Sequence, residues 1–311
     1  MNSVVEQALK LWGLEGAQYQ LIAARENQVF RIDAPIGPVA LRLHRRGYRT
    51  DAEISSELHW MAAVQAGGLN VPAPIPALSG DMLQNVDATQ VDILTWLNGV
   101  MLKTTLEQAD PPKRATLYHQ LGRQMARLHT ISDAWTPPAD FKRCAWDRDG
   151  LLGDAPLWDR FWDNPALNAD DRDLFLAMRT RANADLARIE GTLDYGLIHA
   201  DLVSTNIMVD GEQMHLIDFD DGGYGFRLFE LATALGKMLG APDYPALRAA
   251  LIASYTAQRP IDLSTLDLMI LLRSATYVGW NVTRINEEDG ASRNGGLIST
   301  TRRLAQAYLA N

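Results

Sequence analysis

The chain has a single cysteine, Cys144, so it holds no internal disulfide framework and suits a reducing cytoplasm. It has no stretch approaching the roughly 20 apolar residues of a membrane helix. It also lacks an excess of positive charge. With 29 Lys and Arg against 38 Asp and Glu, its net charge is −9. That excludes the electrostatic grip on nucleic acid that Lys and Arg supply. Neither the G-x-x-x-x-G-K-[ST] loop nor a G-x-G-x-x-G fingerprint occurs, and there is no internal repeat or low-complexity tract. The opening MNSVVEQALKLWGLEG has no basic start, apolar run or small-residue cleavage site, and reads as a surface helix.

What is present divides into two styles. Segment 27-NQVFRIDAPIGPVALRLHR-45 reads as two strands, VFRI and VALRL, joined by a Pro/Gly turn, with a short strand before them near Tyr19 to Ala23. From Asp51 a helical stripe of Ile54, Leu58, Met61 and Gln65 runs to a C-cap at Gly67-Gly68. Strands near Met82 to Asn85 and at VDILTWL follow. Beyond Gly99 the pattern is mainly helical. Helices are expected up to His129 and at 171–189, 227–239, 244–257, 263–283 and 298–310, with a hairpin turning at Asp210-Gly211. The expectation is an α+β fold of two lobes, divided as 1–95 and 96–311, with ligand held in a pocket between them.

The chemistry concentrates in 199-HADLVSTN-206 and 217-IDFD-220. Asp201 and Asn206, five residues apart, can set a carboxylate and an amide oxygen around one site. Asp218 ends an apolar strand and brings a second hard oxygen of the kind magnesium prefers. Phosphoryl transfer to an alcohol needs such a carboxylate, metal ligands and a cation for the nucleotide phosphates. An Asx-rich turn before a hairpin would account for any one of these residues alone, but not for the set.

These motifs resemble the kinase signature H-R-D-L-x-x-x-N with D-F-G, and more closely that of the aminoglycoside phosphotransferase and choline kinase family. The resemblance spans the whole chain. It implies a protein-kinase-like fold, with a small antiparallel sheet and one helix in the N-terminal lobe and a larger, mainly helical C-terminal lobe. It implies ATP and Mg2+ as cofactors and a small-molecule alcohol as acceptor. Asp201 would then be the catalytic base, Asn206 and Asp218 the magnesium ligands, and His199 structural. The strand VALR stands where V-A-I-K is usual, so Arg42 takes the place of the clamping lysine, with Glu57 as its partner and Glu53 as competitor. Arg is not a neutral replacement there, because its planar fork binds phosphate bidentately. Asn27 falls in the turn that would face the phosphates, and Trp96 and Leu97 in the connection that would meet adenine.

Ala200 replaces the Arg of regulated protein kinases, and Glu230 stands where the family usually has Asp to brace the catalytic loop. The Gly222-Gly223-x-Gly225 cluster reads as a turn before a helix. Asp221, Trp280 and Arg284 are candidate substrate contacts, the last two four residues apart and so on one helix face. The runs LRLHRRGYR and IDFDDGGYGFRLFELA look closest to the homoserine-kinase-like and stress-kinase-like branch, whose acceptors include homoserine and, in one bacterial group, protein serine. Alternatives are a protein serine/threonine kinase of this fold and a nucleotide-binding pseudokinase. A further one is a metal-dependent hydrolase using His199, Asp201, His215 and Asp218.

Overall fold

A computed structural model describes residues 2–24 and 27–310. The chain begins α1 (Asn2–Leu11), β1 (Tyr19–Ala24), β2 (Gln28–Ala34), β3 (Gly37–Leu43), α2 (Asp51–Ala66), β4 (Pro74–Ile75), β5 (Leu83–Val86) and β6 (Thr89–Thr95). Next come β7 (Val100–Met101), α3 (Leu102–Gln108), α4 (Pro111–Ala134), β8 (Ala145–Trp146), α5 (Arg148–Leu152) and α6 (Ala169–Ile189). The remainder is β9 (Tyr195–Ile198), β10 (Ile207–Asp210), β11 (Gln213–Leu216), β12 (Gly223–Phe226), α7 (Arg227–Gly236), α8 (Tyr244–Thr256), α9 (Leu266–Trp280) and α10 (Gly290–Ala310). This is the α+β class expected from the sequence. Among the described residues no helix is long and apolar enough to cross a membrane.

Two compact units result, and neither is one stretch of chain. The first comprises Met1–Gln108, Thr130–Arg143 and Ser204–Asp220, and the second Ala109–His129, Cys144–Val203 and Asp221–Asn311. Strand pairing brings in the last of the first unit's stretches: β7 takes β10 as its antiparallel partner, with Val100 opposite Val209, and so draws a late hairpin into that unit.

In the first unit the strands run β1-β2-β3-β6-β4, with β5 also on β6, and every pair is antiparallel. Alternation sends Phe30, Ile32, Val39, Leu41, Val91 and Ile93 into one core. Helix α1 contributes Val5, Ala8 and Leu9 to that core, and Trp12 joins them just past its end, so the helix is anchored rather than merely superficial. The β5–β6 hairpin turns at Asp87 and Ala88, both at positive φ. Helix α2 starts in a capping box between Thr50 and Glu53 and ends at Gly67. It buries Ile54, Leu58, Met61 and Val64; Gln65, assigned to the same stripe, is exposed.

The second unit is mainly helical around a three-stranded sheet ordered β8-β12-β9. Its middle strand corrects the reading of the glycine cluster as a turn. Gly223 to Phe226 is β-strand, and a Cβ at Gly223 would meet the Cys144 carbonyl while one at Gly225 would meet Ile198 and Trp146. The glycines are there so that the strands can close on one another.

Candidate functional site

In the first unit, β3 and α2 bring Arg42 and Glu57 together as expected, Nη1 lying 2.8 Å from Oε1. Glu53 is instead spent on the helix cap, accepting from the Thr50 N–H at 2.9 Å. The pair has a third member that the sequence reading missed. Asp92 on β6 stands directly opposite Arg42 in the strand register and takes both Nε and Nη2 at 2.9 Å. The planar fork that might have gripped phosphate is therefore engaged by a carboxylate. His44 Nε2 lies 2.5 Å from Asp92 Oδ2, the oxygen that Arg42 Nη2 also reaches.

Burial alone would raise the pKa of both carboxylates, but the cations outweigh it. Arg42 and His44 hold Asp92 at about 2. Arg42 and Arg143 hold Glu57 below its ordinary value. Arg143, just before β8, also donates to the carbonyls of Glu53 and Phe219, both at 3.0 Å, and so ties α2 to the segment after β11. Asp220 is shifted the other way, upward, by burial and by the neighbouring Glu57.

Asn206 and Asp218 flank the β10–β11 hairpin, and the Ile217 N–H donates to the Asn206 carbonyl at 3.0 Å. That bond closes the hairpin and pairs Asn206 with the residue just before Asp218. Asp218 adopts φ +68, a conformation that costs a non-glycine residue about 1–3 kcal/mol and marks a constrained site. Asn27 Oδ1 accepts the Arg45 N–H at 3.2 Å. Residues 25 and 26 of the same turn lie outside the described residues. Trp96 and Leu97 are half-buried beyond β6, and the Arg31 guanidinium lies 5.8 Å over the Trp96 ring.

The second unit carries Asp201, on the loop leaving β9. Ala200 before it sits at φ +64, and its N–H donates to Glu230 Oε2 at 2.9 Å. Glu230 thus reaches the loop that the usual Asp would brace. Burial pushes its carboxyl up to about 7. His199 is buried, and its Nδ1 accepts the Asp201 N–H at 3.3 Å. Asp201 Oδ1 meets Arg273 Nη2 at 2.6 Å, and the same nitrogen donates to Tyr277 Oη at 3.0 Å. Arg273 is wholly buried on α9, whereas Asp201 retains 21% exposure.

The three substrate candidates fall into one cluster here. Trp158 Nε1 donates to Asp221 at 3.4 Å, and its ring lies 6.3 Å from that of Trp280. Arg284 lies 4.4 Å over Trp280, although α9 ends at Trp280 and does not extend to 283. Arg273, Tyr277, Trp158 and Lys237 were missed. The one available signal for Arg273 was a charge in the middle of the apolar run LDLMILLRSATYVGW. His215 is also buried, on β11. Among the described residues, no three His, Cys, Asp or Glu side chains converge as a metal-binding group. A magnesium ion needs fewer, because it keeps waters and takes phosphate oxygens.

Residues 18–267 match the model of the Phosphotransferase enzyme family (APH), and the chain belongs to that family. Amicoumacin kinase of Bacillus subtilis (strain 168) is 26% identical over 253 residues, covering 78% of this chain and 70% of that protein. A homoserine kinase of Chelativorans sp. (strain BNC1) is 26% identical over 269 residues, covering 84% and 77%. Among solved structures, the microcompartment-associated aminopropanol kinase superposes with a TM-score of 0.84 at 27% identity, covering 100% of this chain and 98% of that one. The protein is accordingly an enzyme, a phosphotransferase of the kinase type.

Proposed function

We propose that the protein moves the γ-phosphoryl group of Mg-ATP onto the hydroxyl of a small amino alcohol, hydroxy amino acid or aminoglycoside-like acceptor. The observation that carries this reading is the state of Asp201. Its carboxylate is fixed on one oxygen by a wholly buried arginine, yet keeps 21% exposure, as a group that must orient an incoming alcohol requires. The alcohol oxygen attacks phosphorus in line. Its bond to phosphorus forms as the bond to the β-phosphate oxygen breaks, the hydroxyl proton passes to Asp201, and ADP leaves.

Asn206 and Asp218 would hold magnesium, since amide and carboxylate oxygens are the hard donors it takes; the backbone bond from Ile217 to Asn206, next to Asp218, supports this reading. When bound, the ion neutralises charge on the phosphate oxygens. Nucleotide binding is assigned to residues 1–95, through Asn27 and the Arg42–Glu57 pair, with Trp96 and Leu97 beside the base. Residues 96–311 are assigned catalysis and acceptor binding. The relatives named for homoserine, aminopropanol and amicoumacin support a small acceptor over a protein one.

A second reading, nucleotide binding without transfer, is favoured by one observation: Arg42 spends its fork on Asp92. ADP release with Mg-ATP across a panel of alcohols separates the two. The expected result is turnover of one acceptor class, with Asp201→Asn lowering kcat by about 10²–10⁴-fold and nucleotide affinity retained. Nucleotide binding with no transfer would establish the second reading, and absence of nucleotide binding would remove both.

A further inference from the structure

The cluster around Asp201 holds four cations, Arg273, Arg284, Arg293 and Lys237, and Arg273 also lies near the carboxyls of Asp221 and Glu230. Arg273 is committed to Asp201 and Tyr277. Arg293 donates to Asn281 at 2.8 Å and pairs with Glu287, and Arg284 also reaches Glu287. Lys237 is different. It follows α7 directly, its ammonium lies 3.9 Å over the Tyr277 ring, and among the described residues it has no carboxylate partner within ion-pair distance. The contacts lead stepwise from Lys237 to the Tyr277 ring, from the Tyr277 hydroxyl to Arg273, and from Arg273 to Asp201.

The aromatic rings nearby look at first like a cage for an ammonium group, but the protein's own cations already face them. The Arg273 guanidinium stands 4.3 Å over Trp158 and 4.3 Å over Tyr277, and Arg284 and Arg293 stand over Trp280 at 4.4 Å and 5.2 Å. A quaternary or primary ammonium brought there would meet like charge rather than open π faces. An anionic group would meet the reverse. Lys237 is an exposed residue, yet desolvation at the ammonium and the charges of Arg273 and Arg293 outweigh the pull of Asp201 and lower its pKa to about 8. A bound carboxylate would relieve that crowding of like charges.

We infer that the acceptor is a short-chain alcohol carrying a carboxylate, with Lys237 receiving the carboxylate while the hydroxyl lies at Asp201. The inference rests on the phosphotransferase reading and narrows it to hydroxy acids, including hydroxy amino acids, over bare amino alcohols and choline-like compounds.

The test uses three acceptors that share a short chain: homoserine, 3-aminopropan-1-ol, which lacks its carboxylate, and 4-hydroxybutyrate, which lacks its ammonium. Phosphoryl transfer is measured for the parent enzyme, Lys237→Met and Lys237→Arg, with melting curves to show that each variant is folded. Binding of Mg-AMP-PNP is followed in parallel by calorimetry. The expected result is a kcat/KM about 10- to 100-fold higher for a carboxylated member than for 3-aminopropan-1-ol, the scale of one charge-assisted contact. Lys237→Met should bring that ratio to about unity through KM, and Lys237→Arg should restore most of it. A carboxylate-free acceptor used as well as its carboxylated analogue would overturn the inference, as would a ratio unmoved in Lys237→Met. Nucleotide bound while every carboxylated member stays idle would overturn it too. Failure to bind Mg-AMP-PNP at all would instead overturn the phosphotransferase reading beneath it.

Discussion

At the scale of single residues, buried charges decide most of what can be tested. Glu57 is fully buried between Arg42, which keeps Asp92, and Arg143, which keeps its backbone carbonyls, so Glu57→Gln removes one charged contact from each and should cost about 1.5–3 kcal/mol in chemical denaturation. Glu53→Gln is the control, because glutamine also completes a capping box, and it should be close to neutral. Glu230 gives a pH signature. Its folded pKa of about 7 lies above the ordinary 4.5, so its contribution to stability is present below pH 4.5 and is lost as pH rises to 7. The loss is on the order of 3 kcal/mol. Glu230→Gln keeps an oxygen for the Ala200 N–H but carries no charge. Its melting temperature should match the parent at pH 4.5 and exceed it at pH 8; coincident curves at both would remove the argument. The proposals for Arg42, Glu57, Asp201, Asn206 and Asp218 start from motifs and the family they resemble. Asp92 and Arg273 could not be found that way, because what singles them out is a cross-strand register and a packing contact 72 residues away in sequence.

At the scale of elements, periodicity served where side chains alternate cleanly and failed where tertiary packing overrides propensity. β2, β3, α2, α6 and α8 fall close to where the pattern puts them. α10 begins at Gly290, eight residues before the expected start, through a glycine-rich turn that helix propensity argues against. Packing holds it: buried Asn294 and Asn164 exchange amide hydrogen bonds at 2.9 Å, and a Cβ on Gly290 would strike the Arg284 and Ile285 carbonyls. Similarly, α4 runs on past His129 to Ala134. Within the second unit, Gly122 of α4 lies so close to α8 that a Cβ would collide with Ser254 Oγ and the Leu251 carbonyl. Alanine in an exposed helix is worth about 1 kcal/mol more than glycine, so the sign of the change is diagnostic. Gly122→Ala should destabilise by about 1–3 kcal/mol, the cost of overpacking. A stabilised variant in urea titration would mean that the two helices can separate at little cost.

At the scale of the whole molecule, the notable feature is that the first unit is assembled from three distant stretches of chain. A change from hairpins to helices near residue 95 is visible in the sequence, but the return of later segments is not, because pairing of β7 with β10 leaves no mark on either strand's composition. The core of the unit depends on those returns. Trp60 of α2 is wholly buried; its Nε1 donates to Ser132 Oγ at 2.9 Å and its ring meets Phe219 edge-on at 5.1 Å. Arg143 completes the charge balance at Glu57, and the Leu216 N–H donates to the Asn70 carbonyl at 3.0 Å. A fragment ending at residue 108 retains the whole sheet of β1 to β6 and both its helices, yet loses Ser132, Arg143, Leu216 and Phe219. It should therefore melt without a cooperative transition, with Trp emission shifted to the red of the intact chain as Trp60 meets water. A sharp melt with unshifted emission would show instead that sheet and helix suffice, and that the later segments are added to a unit already formed.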